Sequence, residues 1–385
     1  MARLQALLLG LSRPERRDIL LEISEIAMEY GDRQSIRKII ADIRENGLDA
    51  LEADEISSAR LLSLEADLAE TFEEAATLNA RAAEKLRRAM RTDSRRTTAL
   101  ALVECLRLLG TDYQRLSLWE KGRQALVEAE QVARDLEISE FPSTFAARVE
   151  LAYHSALQFG NIGHALEALR ALLDEALLHG WLAVTAEIGA MILHLSTTRA
   201  HYSEAVAWYD WLSGMGLRRL PEWQRDIMLH EGIHAMTMTG HPERAISILE
   251  SAHEYGHRFL GAITVRYAEA LEARGDFAFA IKVGVDALKE SEKVRFLTGV
   301  AQSKRVLAAC YHALGQERKA RANLADSLEL CEASETPYEL LRTMVSASVV
   351  LSDAKLRTES LNLAQLLLES GGSHAFPPPP RQAEP

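Results

Sequence analysis

Apolar residues recur at intervals of three and four along most of the chain, and Ala, Leu, Glu and Arg dominate its composition. This spacing places the apolar side chains on one face of an α-helix. No segment combines strict alternation of apolar and polar residues with β-branched side chains, so the pattern predicts no strands. Prolines, which interrupt helices, number only 10 in 385 residues, and four of them form the run at 377–380. The pattern therefore predicts an all-α protein.

A short turn motif recurs at a nearly constant interval and divides these helices into hairpins. A turn residue, usually Gly, is followed five residues later by an Ala, as in GNIGHA, AHYSEA, GHPERA, GDFAFA and GQERKA. The final alanines lie 40, 40, 35 and 40 residues apart, at Ala165, Ala205, Ala245, Ala280 and Ala320. Earlier in the chain the same position falls on Ala125, Ala75 and Ile36.

Each unit is predicted to be helix, tight turn, helix. The Gly ends the first helix in a left-handed conformation, and the small Ala lets the second helix pack closely against the first. A hairpin of this kind cannot bury its apolar face alone, so neighbouring hairpins must stack into a solenoid.

The motif resembles the core of the tetratricopeptide repeat, Gly-x-aromatic-x-x-Ala, with Phe277 at the aromatic position of GDFAFA. The resemblance implies a right-handed α-solenoid of about nine helix-turn-helix hairpins over residues 1–370, with a possible subdivision near 92–117. The period near 40 exceeds the 34 residues of the family. Long units of this kind resemble those of bacterial regulators such as the peptide-responsive Rap-type proteins. Residues 371–385, which include the proline run, are predicted to be a disordered tail.

Charge and cysteine content narrow the functional classes. A formal net charge of -12 repels phosphate backbones, so no direct nucleic-acid partner is expected. Three scattered cysteines suggest neither a disulfide framework nor a thiolate metal site, and the composition indicates a cytoplasmic protein without membrane insertion. Nucleotide-binding loops and the G-x-S-x-G elbow are absent, and no cofactor is predicted.

Two segments match the zinc-protease pattern His-Glu-x-x-His: HEGIH from residue 230 and HEYGH from residue 253. A zinc-dependent hydrolase would use His230 and His234 as ligands and Glu231 to activate water, with His253 as a candidate third ligand. The extended pattern fails, because Thr237 stands where a Gly is needed and Gly240 where the third His is needed. The sequence therefore favours a protein that is not an enzyme, and hydrolysis remains the alternative.

The tetratricopeptide register places another set of residues on the concave face of the first helices. His154, His194 and His234 recur at the 40-residue period and are predicted to form a column there. The predicted groove residues are His154, His194, His230, Glu231, His234, Arg266, Glu269 and Arg305.

The favoured function is a scaffold or regulator that captures a peptide or protein segment in this groove. Histidine and mixed charge suit a peptide's side chains or termini, with Arg able to clamp a carboxylate. A self-assembling structural scaffold is the further alternative, and homodimerisation is left open. The cluster of Trp208, Tyr209, Trp211 and Trp223 is interpreted as packing between repeats.

Overall fold

Helices account for nearly all of the chain that the computed structural model describes, which comprises residues 12–29, 33–45, 54–92, 95–159, 161–216, 222–252, 260–334 and 337–371. These ranges contain eighteen α-helices and no strands, which confirms the predicted fold class. The proline-rich tail that the sequence predicts after residue 371 lies outside the described residues.

The helices follow one another as nine consecutive pairs within the described ranges, the number that the repeat predicts, and eight of these pairs pack as hairpins. The pairs are α1 (Arg13–Glu29) with α2 (Arg33–Glu45), α3 (Glu55–Leu68) with α4 (Phe72–Thr92), α5 (Arg96–Arg115) with α6 (Trp119–Asp135), α7 (Pro142–Phe159) with α8 (Ile162–His179), α9 (Leu182–Thr198) with α10 (Tyr202–Gly214), α11 (Glu222–Met238) with α12 (Pro242–Ala252), α13 (Leu260–Arg274) with α14 (Phe277–Lys293), α15 (Leu297–Ala313) with α16 (Glu317–Ala333), and α17 (Pro337–Val350) with α18 (Ala354–Gly371).

The turn inside a hairpin uses the left-handed backbone conformation that the sequence predicts. Gly240, Gly275 and Gly315 have φ of 82°, 88° and 70°. Ala200 occupies the same position with φ of 60°, where a Cβ is tolerated less well than at Gly. Gly160, the remaining predicted turn residue, lies outside the described residues.

The alanines that follow the turns are buried, as expected for close packing of the second helix on the first. Their exposed fractions lie between 0% and 5%, at Ala165, Ala205, Ala245, Ala280 and Ala320. A larger side chain at these positions would separate the two helices of the hairpin.

The chain divides into two compact units, Met1–Glu150 and Leu151–Pro385. The boundary between these units falls within α7. The subdivision that the sequence suggests near 92–117 stays a prediction, and α4 and α5 pack against each other.

The first unit has an apolar core formed mainly by leucine, isoleucine and alanine side chains of α1 to α6. A buried polar contact crosses this core, because the Asn79 amide on α4 donates to the Asp112 carboxylate on α5 at 2.8 Å. Glu150 is buried near Arg107, with 3.7 Å between a carboxylate oxygen and a guanidinium nitrogen. Burial raises the pKa of Glu150 more than the guanidinium lowers it.

The second unit stacks the first helices of successive hairpins against one another. Helix α9 packs on α11, α11 on α13, α13 on α15, and α15 on α17. We call the face that these five helices share the inner face. The last helix of the unit, α18, also contacts α8.

The aromatic cluster around α10 is a packing core, as the sequence indicates. Trp208, Tyr209 and Trp211 are all buried, and the two indole rings meet edge to face with centroids 5.4 Å apart. The side chain of Trp223 lies outside the described residues.

Gly232, the glycine of HEGIH, lies against the ring of Tyr209. A Cβ added at Gly232 would stand 2.1 Å from Cδ2 of that ring. The glycine therefore permits the close approach of α10 and α11, a packing role unrelated to metal binding.

Gly232→Ala is expected to destabilise the protein by about 1–3 kcal/mol, because the buried Tyr209 ring has to move aside. Urea unfolding followed by circular dichroism measures the change. Gly214→Ala, at the exposed end of α10, is the matched control, since it has the same helix-propensity gain without the clash. Equal unfolding midpoints for the two variants would contradict this account.

Candidate functional site on the inner face of the second unit

Polar side chains from all five first helices of the second unit form one connected set on the inner face. Most of its members lie three or four residues apart on their helix, so that they share a face. We call this set the inner network: His194 and Thr197 on α9, His230, Glu231 and His234 on α11, Arg266 and Glu269 on α13, Gln302 and Arg305 on α15, and Glu339 and Arg342 on α17.

The carboxylate of Glu231 is the centre of the network on α9 and α11. Its Oε1 lies 2.5 Å from His194 Nδ1 and 2.7 Å from His230 Nδ1, and its Oε2 accepts a hydrogen bond from the Thr197 hydroxyl. Burial alone would raise the pKa of Glu231, but the two imidazoles hold that pKa well below its usual range. Glu231 is therefore an ionised acceptor that three donors satisfy.

His230 connects α11 to α13 in a defined tautomer. Its Nε2 accepts a hydrogen bond from Arg266 Nε at 3.0 Å, so the proton of the neutral ring is on Nδ1, which faces Glu231. Burial and the nearby Arg266 charge lower the pKa of His230. A protonated ring could not accept the bond from Arg266, so the neutral form and the contact require each other.

Glu269 repeats this arrangement between α11, α13 and α15. Its Oε2 lies 2.7 Å from Arg266 Nη1 and 3.1 Å from His234 Nδ1, and its Oε1 accepts from Arg305 Nη2 at 2.8 Å. Burial opposes ionisation, but Arg266, His234 and Arg305 together hold the pKa of Glu269 well below its usual range. Burial and the Arg266 charge lower the pKa of His234 to about 3, so that ring is neutral.

Glu339 and Arg342 join α17, the last of the five helices of the inner face, to the network. Arg305 Nε donates to Glu339 Oε1 at 3.0 Å, and Gln302 Nε2 donates to Glu339 Oε2 at 3.2 Å. Arg342 Nη1 lies 3.7 Å from Glu339 Oε2, and Arg342 Nη2 donates to the Thr197 carbonyl at 2.8 Å. Because Thr197 also binds Glu231, the contacts return to their starting point and form a closed ring.

The network contains equal numbers of acidic and basic side chains. Three glutamates face three arginines, while His230 and His234 are neutral rings. A buried ion pair adds little stability compared with apolar packing, yet removing one partner costs about 3–5 kcal/mol. Removing one member of the network is therefore expected to destabilise the protein, whereas replacing the whole network by apolar side chains would not.

The structure brings together seven of the eight predicted groove residues. His194, His230, Glu231, His234, Arg266, Glu269 and Arg305 all belong to the inner network. His154 is fully buried in α7 and enters none of these contacts.

The histidines of the predicted column have aromatic neighbours from the preceding hairpin. Tyr153 meets His194 edge to face at 5.5 Å between ring centroids, and Tyr202 meets His234 in the same way at 5.4 Å. An imidazole thus meets a phenol ring twice, although Tyr153 lies on a first helix and Tyr202 on a second helix. Each contact fixes the orientation of an imidazole that also binds a glutamate.

Sequence reasoning missed four members of the network: Thr197, Gln302, Glu339 and Arg342. A signal for three of them was present, since Gln302 with Arg305 and Glu339 with Arg342 have the same i, i+3 spacing as Arg266 with Glu269. The contact between Arg342 and Thr197, 145 residues apart, has no such signal.

The HEGIH segment directs its side chains to different partners and not to a common point. Glu231 lies between His194 and His230, whereas His234 Nδ1 faces Glu269. In the part of the chain that the structure describes, no group of three His, Cys, Asp or Glu side chains is arranged to hold a metal ion. HEYGH, including His253, lies outside that part.

The stability of the second unit is expected to fall as the pH is lowered from 7 to 4. The pKa of His234 is about 3 when folded and near 6.5 when unfolded, so the unfolded chain binds more protons in this window. The contribution is complete above about pH 6.5 and declines towards pH 3, by at most about 1.4 kcal/mol per pH unit for one group. Glu231 and Glu269, whose folded pKa values are also lowered, act in the same direction below about pH 4.5.

Urea unfolding at several pH values measures this dependence. His234→Asn is the informative variant, because its amide can donate to Glu269 but does not titrate. The slope of unfolding free energy against pH between 6.5 and 4.5 should be shallower in this variant than in the wild type. Identical slopes would show that His234 does not titrate with folding.

No helix in the described ranges is long and apolar enough to cross a lipid bilayer.

Comparison with known proteins identifies the fold. No family model and no curated protein sequence matches the chain. The solved structure of a Rap protein complexed with competence and sporulation factor has 12% identity and a TM-score of 0.54, covering 93% of this chain and 99% of that chain. The apo form of the quorum sensor NprR from B. thuringiensis has 14% identity and a TM-score of 0.51, with the same coverage of 93% and 99%. The chain therefore has a tetratricopeptide-like helical-repeat fold.

Proposed function

We propose that this protein is a regulator that binds a peptide or protein segment along the inner face of its second unit. The inner network is the observation that carries the proposal. It places three glutamates, three arginines and three histidines on the face that a helical-repeat protein offers to an extended ligand.

The physical argument is that this face is more polar than packing requires. Apolar side chains of similar volume would stabilise stacked helices at least as well as buried ion pairs. Polar groups that are costly to bury and bind one another suit a surface that exchanges internal partners for those of a ligand.

Part of the network is accessible to a ligand. The side chains of His194 and His230 are 26% and 14% exposed, whereas Glu231, Arg266 and Glu269 are buried. The exposed members carry N–H donors and ring edges, which suit the carbonyl groups and side chains of an extended peptide. The buried members hold them in place.

The shared fold supports the same proposal. The Rap structure contains competence and sporulation factor, and NprR is a quorum sensor. Since these likenesses concern the fold, the ligand and its position in this chain are inferred from the inner network. The zinc-hydrolase alternative gains no support, because the residues of HEGIH are engaged with Glu269, Arg266 and His194.

Selection from a phage-displayed library of random heptapeptides tests the proposal. Peptides that bind the wild-type chain should bind His194→Asn roughly tenfold more weakly, a loss typical of one removed interface contact. The asparagine amide can still donate to Glu231 but lacks the exposed ring edge, so the fold should be retained. Binding is measured by isothermal titration calorimetry.

His164→Ala is the matched control, because His164 is 79% exposed on α8 and takes no part in the inner network. The proposal predicts unchanged peptide affinity for this variant. Failure to enrich any peptide, or peptides that bind both variants as they bind the wild type, would overturn it.

A further inference from the structure

Arg342 makes one of the contacts through which the second unit closes on itself, besides that of α18 with α8. Its guanidinium on α17 reaches the main-chain carbonyl of Thr197 on α9, from the last hairpin of the unit to a residue 145 positions earlier in the chain. The nearest carboxylate is that of Glu339, one turn earlier on the same helix, at 3.7 Å. We call Arg342, Glu339 and the Thr197 carbonyl the clasp.

The carbonyl that Arg342 binds belongs to the last turn of α9, which ends at Thr198. Carbonyls in the last turn have no intrahelical partner and carry the negative end of the helix dipole, which favours a cation. The Thr197 oxygen also accepts the backbone N–H of Ala200 at 3.0 Å, and the Thr197 side chain binds Glu231. The backbone bond to Ala200 and the side-chain bond to Glu231 thus fix the position of Thr197 and its carbonyl.

Two hydrogen-bond acceptors near the clasp have no donor within the described residues. They are Nε2 of His234 and Oε1 of Gln302, and both side chains are more than nine-tenths buried. The other polar atoms of these side chains are engaged, His234 Nδ1 with Glu269 and Gln302 Nε2 with Glu339.

Both unsatisfied acceptors belong to side chains that contacts connect to Arg342. Glu339 Oε2 lies 3.7 Å from Arg342 Nη1 and accepts from Gln302 Nε2. His234 is connected to the same carboxylate through Glu269 and Arg305. Buried acceptors without donors are uncommon because they lose their bonds to water without replacement. An N–H donor from a ligand would satisfy them, whereas a carboxylate would not.

We propose that Arg342 is an internal gate, and that its release from Thr197 exposes His234 Nε2 and Gln302 Oε1 to an N–H donor of the ligand, namely a peptide amide. The structure is then the closed form, in which an arginine of the chain itself covers the ligand's place. The inference that Arg342 can be released is based on the geometry of the clasp and does not depend on the proposed function. The identity of the donor rests on the proposed function.

Distance measurement by pulsed electron paramagnetic resonance tests the gate without any ligand. Spin labels are attached at Leu182→Cys on α9 and Val349→Cys on α17, since both positions are exposed and the native cysteines are buried. The wild-type background should give one narrow distance distribution. Arg342→Ala should add a longer component, because the bond between α17 and α9 is lost. An unchanged distribution overturns the gate.

Two further variants serve as a control and a replacement in this measurement. Arg318→Ala removes an exposed arginine of α16 and should leave the distribution unchanged. If Arg342→Ala fails to fold by circular dichroism, Arg342→Lys replaces it, since the shorter ammonium keeps the charge and loses the forked geometry. Labels that report the same change in Arg318→Ala would also overturn the assignment to the clasp.

Peptide affinity tests the second part of the proposal, that the ligand's donor is a peptide amide. The probe is a heptapeptide from the library selection. Arg342→Ala should bind it roughly tenfold more tightly, because loss of one charge-assisted bond raises the population of the open form. Adding His234→Asn should reverse the gain, since asparagine keeps the donor to Glu269 but is too short to place an acceptor at the position of His234 Nε2. Weaker binding by Arg342→Ala would show that Arg342 is a ligand contact and not a gate.

The two proposals fail in different ways. If no peptide is selected but Arg342→Ala lengthens the label distance, the gate stands and peptide binding fails. If peptides bind but the distance distribution is unchanged in Arg342→Ala, peptide binding stands and the gate fails.

Discussion

A charge that is removed from water needs a partner, and this requirement organises the inner face of the second unit. Glu231, Glu269 and Glu339 each accept a hydrogen bond from a neighbouring hairpin, so every carboxylate is also a connection between helices. The stacking of apolar faces determines that the hairpins form a solenoid. The carboxylates determine which residues of successive first helices face each other.

The repeat explains why so much of the fold is predictable from the sequence. Gly240, Gly275 and Gly315 mark turns by the one backbone conformation that Gly adopts readily, and the alanines after the turns mark the tightest contacts. These signals are local, so a single chain displays them. The same register places His194 and His234 on one face of the first helices.

The candidate site was predictable only where it follows the repeat. His154 has the spacing of the column but is fully buried, because spacing gives the face of a helix and not the depth of a residue beneath its neighbours. Arg342 and Thr197 belong to helices that the sequence separates widely, so only the closure of the unit brings them together. The match of HEGIH to the zinc-protease pattern has a structural explanation. Gly232 lies against the ring of Tyr209, and Glu231 binds donors on two helices.

The closed ring of contacts also bears on how this chain can change over generations. In a linear series of contacts, the residue at each end has only one partner and its replacement disturbs only that partner. In a closed ring every residue has two partners, so every replacement disturbs both. Replacing Arg305 leaves Glu269 and Glu339 short of a donor at once, and restoring both requires a second replacement nearby. Positions on the inner face are therefore expected to vary in concert among descendants of this gene, with charge exchanged between neighbouring hairpins and not gained or lost at one of them.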